Sequence, residues 1–260
     1  MWTFISGATG GIGKAFCHEV GSKQNKLFIT GRNQQKLVKL KQELFDAYGC
    51  EVECFACELT DHKSREDMLS FISQKGLVFE RIINVAGVDI QKAFEDYTLE
   101  KVLFQIRVNV EATIALTHSL LKMRAPKTEI ITISSMSGAS PMPYFALYSA
   151  TKAMLTNFFT SLHYELKKSG VNVTTVLPGG VYTRADIIED IRGQGLWGKL
   201  SAKTPEFVAK KSLKAVKKNK LTYIPGFFNK LLNVIMKLVP KRLVLRFIAN
   251  RWKKQTKDAF

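Results

Sequence analysis

Thr3-Phe4-Ile5-Ser6-Gly7-Ala8-Thr9-Gly10-Gly11-Ile12-Gly13 sets an apolar run of strand length directly ahead of a glycine-rich turn, and an amphipathic helix is expected to begin near Lys14. Strand, turn and helix start come in the order a dinucleotide pyrophosphate requires. Glycines let the backbone approach the anion, and the helix N-terminus supplies free amides and partial positive charge. Glycines alone also suit a tight turn; their place at the first βα junction is what points to a dinucleotide.

Working outward, β-branched apolar segments recur at Thr3–Ser6, Lys26–Thr30, Glu51–Phe55, Arg81–Val85, Glu129–Ser134, Val171–Leu177 and Leu221–Ile224, with longer amphipathic segments between them. Strands alternating with helices predict βαβ units. The expected fold is α/β: a doubly wound, mostly parallel, Rossmann-like sheet with helices on both faces and a C-terminal helical extension. The 260 residues fit one domain, and 46% hydrophobic with 23% charged residues is a globular balance. Residues 1–226 read as the dinucleotide-binding and catalytic domain, with a mobile lid near 184–203 where Gly193, Gly195 and Gly198 surround Trp197; residues 227–260 read as a basic, amphipathic extension of the same domain. Thr204 as cap, Pro205 at the first helical position, Glu206, and Lys214 to Lys218 at the far end mark a surface helix.

The second strand ends at Gly31-Arg32-Asn33, nineteen residues beyond Gly13, where an NAD-specific protein would offer an acid to the adenosine ribose. Arg32 reverses that charge. A guanidinium suits a 2′-phosphate, with Lys14 as a second positive charge, so the expected cofactor is NADP(H). Further on, the fifth strand runs into Ser134-Ser135, and thirteen residues after Ser135 comes Tyr148-Ser149-Ala150-Thr151-Lys152. Four-residue spacing puts Tyr148 and Lys152 on one helix face, and an adjacent ammonium stabilises phenolate, drawing the tyrosine pKa down from about 10.

In these motifs the chain resembles the short-chain dehydrogenase/reductase superfamily, over essentially residues 1–226. Ser6-Gly7 with Gly11 and Gly13 looks like its cofactor turn, Asn84-Val85-Ala86-Gly87 its fourth-strand motif, and Pro178-Gly179 with Thr183 its nicotinamide-side loop. The resemblance implies a catalytic set of Asn109, Ser135, Tyr148 and Lys152: Tyr148 exchanges the substrate proton, Lys152 activates it and holds the nicotinamide ribose, Ser135 bonds the carbonyl oxygen, and Asn109 supports a water-mediated relay. It also implies cofactor contacts at Gly7, Thr9, Gly10, Gly11, Ile12, Gly13, Arg32, Asn33, Glu58, Leu59, Asn84, Ala86, Gly87, Tyr148, Lys152, Pro178, Gly179, Val181 and Thr183. The reaction expected is hydride transfer between NADP(H) and a carbonyl or secondary alcohol, without a metal. The chain departs from the family at Glu58, where an adenine-contacting Asp is usual, and at Val85, where a second Asn is common. A silent NADP-binding sensor or scaffold is the competing reading.

Met136, Pro141, Met142, Tyr144, Phe145, Tyr182, Ile187, Ile188, Leu196 and Trp197 flank the expected carbonyl site and predict a pocket for a hydrophobic carbonyl compound, for which lipid-derived ketones, 3-oxoacyl thioesters and steroid-like ketones all fit. The formal charge is +17, and residues 221–260 hold nine Lys/Arg against Asp258 alone. Within the extension, Phe227, Leu231, Val234, Ile235 and Leu238 recur at helical spacing, as do Val244, Phe247 and Ile248. Three covers are open for them: the same subunit near the substrate mouth, which is favoured; a subunit interface; or an anionic membrane surface. A homo-oligomer, dimer or tetramer, is expected; nucleic acid is not, since aromatics are not interleaved with basic residues on a strand platform. No secretory signal is read at Met1, so a cytoplasmic protein is expected, with membrane association through the extension as a second reading. Cys50, Cys54, Cys57 and His62 invite zinc, but period two divides the thiols between two faces, and free buried cysteines are the preferred reading.

Overall fold

Period two along each strand sorts its side chains onto two faces of one sheet. Phe4, Phe28, Ile82 and Ile130 enter one hydrophobic cluster, while their neighbours Ile5, Leu27, Ile29, Ile83 and Ile131 enter the other. The computed structural model describes residues 1–23, 25–193 and 195–253. Its strands are β1 (Trp2–Ser6), β2 (Lys26–Gly31), β3 (Val52–Ala56), β4 (Phe79–Asn84), β5 (Arg124–Ile133), β6 (Val171–Val176) and β7 (Thr222–Tyr223). They form a parallel seven-stranded sheet in the order β3-β2-β1-β4-β5-β6-β7, the doubly wound arrangement expected. Both faces are covered, which is why the strands are apolar throughout.

The helices are α1 (Gly11–Gly21), α2 (Gln34–Tyr48), α3 (His62–Gln74), α4 (Leu99–Ile106), α5 (Ala112–Leu121), α6 (Ala146–Leu166), α7 (Ala185–Gly193), α8 (Gly195–Ser201), α9 (Pro205–Lys217), α10 (Phe227–Leu238) and α11 (Lys241–Trp252). Phe16 and Val20 of α1, Leu37 and Leu44 of α2, and Val208 and Leu213 of α9 cover one face of the sheet. Met68 and Ile72 of α3, Leu116 of α5, and Leu155 and Phe159 of α6 cover the other. There Phe4 stacks on Phe28 with centroids 5.8 Å apart and meets the edge of Phe79 at 6.0 Å. Truncating such a buried ring costs about 3–5 kcal/mol.

Three local expectations change, and the expected division of the cysteines between two faces is found. The first helix begins at Gly11 rather than near Lys14, so the glycine turn itself makes its first turn. β5 reaches back to Arg124 and stops at Ile133, leaving Ser134 and Ser135 beyond its end. Thr204 does cap α9, accepting from the Phe207 amide, but α9 is not merely a surface element: Val208, Ala209, Leu213 and Val216 are buried in the core, and only the lysine side is solvated. Cys17 and Cys50 sit in one cluster, with Cys54 packed against it, and Cys57 in the other; burial pushes all four thiols above their ordinary pKa.

Two additions frame the carboxyl end of the sheet. The segment expected to form a lid holds α7 and α8, and its base is closed where Val181 bridges Lys203, with the Lys203 amide donating to the Gly180 carbonyl at 2.9 Å. Beyond β7, α10 is tied to this lid by Asn229, whose Nδ2 donates to the carbonyls of Ser201 (2.8 Å) and Pro225 (2.9 Å). Residues 254–260 of the extension lie outside the described residues.

Candidate active site

β1 lies between β2 and β4, the point where strand order reverses, and open α/β sheets bind ligands beyond the strand ends there. Gly7 has φ +65°, and a Cβ on it would come 2.9 Å from the Ala86 backbone. A Cβ on Gly13 would stand 2.1 Å from the Gly7 carbonyl oxygen, and one on Gly11 2.9 Å from the Thr183 side chain. Only glycine therefore lets the turn, the end of β4 and the loop after β6 converge. Ser6 Oγ draws β4 in by accepting from the amides of Val85 (3.2 Å) and Ala86 (3.3 Å). No side chain among the described residues caps α1 at Gly10, so the amides of its first turn keep no side-chain acceptor. A phosphate group fits this cradle.

At the adenine end the picture is mixed. Arg32 stands exposed after β2, its guanidinium 6.0 Å from the Phe104 ring centroid. Lys14, expected to add a second positive charge, is instead paired with Glu43 of α2 at 2.9 Å. Asn33 caps α2 by accepting from the Lys36 amide at 2.9 Å. The Glu58 carboxylate turns back on its own loop, accepting from the Thr60 amide (3.1 Å) and hydroxyl (2.8 Å), rather than extending toward an adenine. Leu59 points into the core, and its carbonyl accepts from Arg65.

The four residues of the expected catalytic set meet above Gly87. The Ser135 hydroxyl lies beside the Tyr148 phenol, close enough to favour its ionised form. The ring of Tyr148 stacks on Phe145 at 4.4 Å, and Lys152 Nζ lies 5.7 Å from its centroid. Lys152 Nζ donates to the Ile133 carbonyl at 2.9 Å. Asn109 sits in a π-helical turn, Arg107–Glu111, between α4 and α5. It clamps Val88, accepting from its amide at 2.8 Å and donating to its carbonyl at 3.0 Å, and also donates to Thr151 Oγ1 at 3.1 Å. A Cβ on Gly87 would fall 3.2 Å from Lys152 Nζ and 3.3 Å from Asn109 Oδ1, so its bare backbone leaves these groups facing a common space. Asn84 ties the strand ends together, its Nδ2 donating to Thr117 and Thr132.

The electrostatics differ from the sequence expectation that Lys152 draws Tyr148 down. Burial, then the Asp89 carboxylate, push the phenol above its ordinary value, against the hydrogen bond from Ser135. Burial also lowers Lys152 to about 8, which Asp89 partly opposes. Both groups are in low dielectric, where either charge is costly and the neutral phenol is held.

A cavity of about 650 Å³ opens from this centre and reaches Ile12 of the glycine turn. Met136, Met142, Phe145 and Ile187 line it as expected, and so do Val181 and Thr183. Pro141, Tyr182 and Ile188 do not line it, and Tyr144 belongs to a separate pocket beside Phe94 and Tyr97. The side chains of Leu196 and Trp197 lie outside the described residues. Sequence reasoning missed two polar members, Asp89 and Gln91, which the loop after β4 brings in; Asp89 lies 3.8 Å from Arg184 at the lid's start. Ile235, Val244, Phe247 and Ile248 of the extension line the cavity, in keeping with the favoured cover near the substrate mouth, while Leu232 and Met236 of α10 and Val239 just after it, which complete the apolar wall, were missed. Their helical spacing was the available signal.

The glycine cradle at the switch point, the Ser135–Tyr148–Lys152 cluster beside it and the parallel sheet define a class. Residues 1–190 match the short chain dehydrogenase family, and the chain belongs to it: it is an oxidoreductase of the short-chain dehydrogenase/reductase type. Over 194 residues it is 31% identical to a very-long-chain 3-oxoacyl-CoA reductase of Anas platyrhynchos, covering 70% of this chain and 60% of that one. Over 189 residues it is 31% identical to the inactive hydroxysteroid dehydrogenase-like protein 1 of Homo sapiens, covering 70% of this chain and 56% of that one. The chain thus matches less than two thirds of either relative's length. A solved structure from work on 7beta-hydroxysteroid dehydrogenase stereoselectivity superposes with a TM-score of 0.88 at 26% identity, covering 95% of this chain and 96% of that one.

Proposed function

We propose that this protein transfers hydride between NADP(H) and the carbonyl or secondary alcohol of a hydrophobic, lipid-derived substrate. The observation that carries this reading is Ser135, beside Tyr148, in the wall of an apolar cavity of about 650 Å³ that reaches Ile12 of the glycine turn. The similar proteins named for very-long-chain 3-oxoacyl-CoA and 7beta-hydroxysteroid chemistry agree with a large apolar substrate.

The turn from Gly7 to Gly13 would hold the pyrophosphate and Arg32 the 2′-phosphate, with Ala86 and Gly87 after β4 and Pro178, Gly179, Val181 and Thr183 available to the rest of the cofactor. NADPH, when bound, supplies the hydride that the carbonyl carbon accepts. Ser135 Oγ donates to the substrate oxygen and stabilises its developing charge. Tyr148 Oη gives that oxygen its proton; burial and Asp89 keep the phenol protonated and ready to do so. The Lys152 ammonium, facing one space with Asn109 above Gly87, returns a proton toward Tyr148, and Asn109 supports the water-mediated relay that replenishes it from solvent. The apolar wall from α10 and α11 keeps bulk water from the reacting carbon.

The experiment is NADPH consumption against ketones and 3-oxoacyl thioesters of rising chain length. Each methylene buried should raise kcat/KM by roughly fourfold until the cavity is full. Tyr148→Phe should lose at least about a hundredfold in kcat while still binding NADPH. A flat response to chain length would sink the hydrophobic assignment, and normal turnover by Tyr148→Phe the mechanism. Absence of turnover across the panel, with NADPH still bound, would instead favour a silent sensor, the condition named in the human relative.

A further inference from the structure

α10 is apolar on two sides. Leu232 and Met236, with Val239 just after the helix, line the cavity. Phe227, Leu231, Val234 and Leu238, at intervals of four, three and four, form a second stripe roughly 140° round the helix, and it lies in water: Phe227 is 82% and Leu238 79% exposed. A monomer gains nothing from such a stripe, and exposed apolar patches of this kind mark contact surfaces. The charge around it is one-sided. Residues 227–253 contain seven Lys/Arg and no Asp or Glu, and no acid occurs anywhere between Glu206 and Asp258.

We propose that the outward face of α10 and α11 docks on the surface of an anionic lipid bilayer, with α10 forming the partition between the bilayer and the substrate cavity. Apolar residues flanked by unbalanced cations are the composition of a helix that lies in the headgroup region. Among the described residues no helix is long and apolar enough to cross a membrane, so the contact is interfacial. A second copy of the chain is the poorer occupant, because pairing through this face would set two all-cationic surfaces against each other. Self-association has another apolar surface available in Leu99, Leu103 and Ile106 of α4. Ile235, Leu243 and Phe247 line the cavity yet are about half exposed, so the cavity reaches the surface beside α10 and α11. A hydrophobic substrate then enters from the bilayer without crossing water; this entry route rests on the proposed function, whereas the docking itself does not.

The full-length protein is sedimented with phosphatidylcholine vesicles, with and without phosphatidylserine, in low and high salt. Pelleting should require phosphatidylserine and weaken in high salt, since each basic residue near an anionic leaflet contributes roughly a fivefold gain. Phe227→Ser with Leu238→Ser should lower partitioning at least about tenfold, and Lys237→Glu with Lys241→Glu by a similar factor, while both double variants keep wild-type NADPH oxidation on a short water-soluble ketone. Wild-type protein that stays in the supernatant, or double variants that pellet like wild type, would overturn the proposal. So would a Phe227→Ser, Leu238→Ser protein with altered oligomeric state but unaltered vesicle binding, which would give the face to a second copy. Tyr148→Phe should pellet as wild type does, so a failed catalytic reading and a failed docking surface give different results.

Discussion

Lys152 is only 3% exposed, and its ammonium donates to the Ile133 carbonyl in surroundings that lower its pKa from 10.5 to about 8. For a cation, a folded pKa below the unfolded one destabilises the fold while the group is charged. The penalty, roughly 3 kcal/mol from this shift, is present below pH 8 and fades as pH rises from 8 to 10.5. Lys152→Met should therefore melt at or a few degrees above wild type at pH 7, with the difference shrinking toward pH 10, while NADPH-dependent turnover is lost. Thermal melts across pH check this, and a Tm more than about 5 °C below wild type would show that the lysine is structural. In the wild type, kcat/KM for reduction should decline as pH rises through about 8, where the ammonium is lost. Arg32 offers a second test at this scale. Exposed after β2 and without an ion pair among the described residues, it is available to an anion, and Arg32→Asp should shift the NADP-to-NAD affinity ratio by about 10- to 100-fold toward NAD, measured by titrating each cofactor. An unchanged ratio would remove the case for NADP.

Among elements, the junction of lid and extension turns on one side chain. Asn229 is buried at the start of α10, and its amide satisfies the Ser201 and Pro225 carbonyls while its side chain lies where a Cβ on Gly179 would meet it at about 3 Å. Asn229→Leu keeps the size and removes both bonds, at a cost of about 1–3 kcal/mol. The loss should loosen α10 from α8, raising KM for long-chain substrates more than it lowers kcat, and speeding hydrogen exchange of the α10 amides. Exchange rates unchanged in α10 would assign the packing, not the bonds, as the tie. The elements also show the reach of sequence reasoning. The glycine turn, the Thr204 cap and the Tyr148–Lys152 spacing were legible because each is satisfied within a turn or two of its own chain. Lys14 and Glu58 were not: Lys14 pairs with Glu43 of another helix, and whether the Glu58 side chain extends or turns back onto Thr60 is a choice that its spacing does not record.

For the molecule as a whole, alternation of period two and period 3.6 sufficed to order strands and helices, and the family's motifs at the strand ends sufficed to nominate the residues proposed to react. Those signals are local, and a parallel sheet buried on both faces leaves little freedom in how they assemble. The substrate end behaved differently. Of Phe227, Leu231, Val234, Ile235 and Leu238, the stripe that helical spacing picked out for burial, only Ile235 lines the cavity, and the neighbouring stripe of Leu232, Met236 and Val239 closes it. A helix apolar on two sides carries no internal record of which side will be covered. That depended on the lid and on Asn229, and with it were decided the shape of the cavity, the entry of Asp89 and Gln91 into it, and the exposure of a basic, apolar face. The sequence by itself determined the fold and the family; the tertiary structure alone decided what lines the cavity beside Ser135, because long-range packing, not periodicity, chooses which apolar face of a helix is covered.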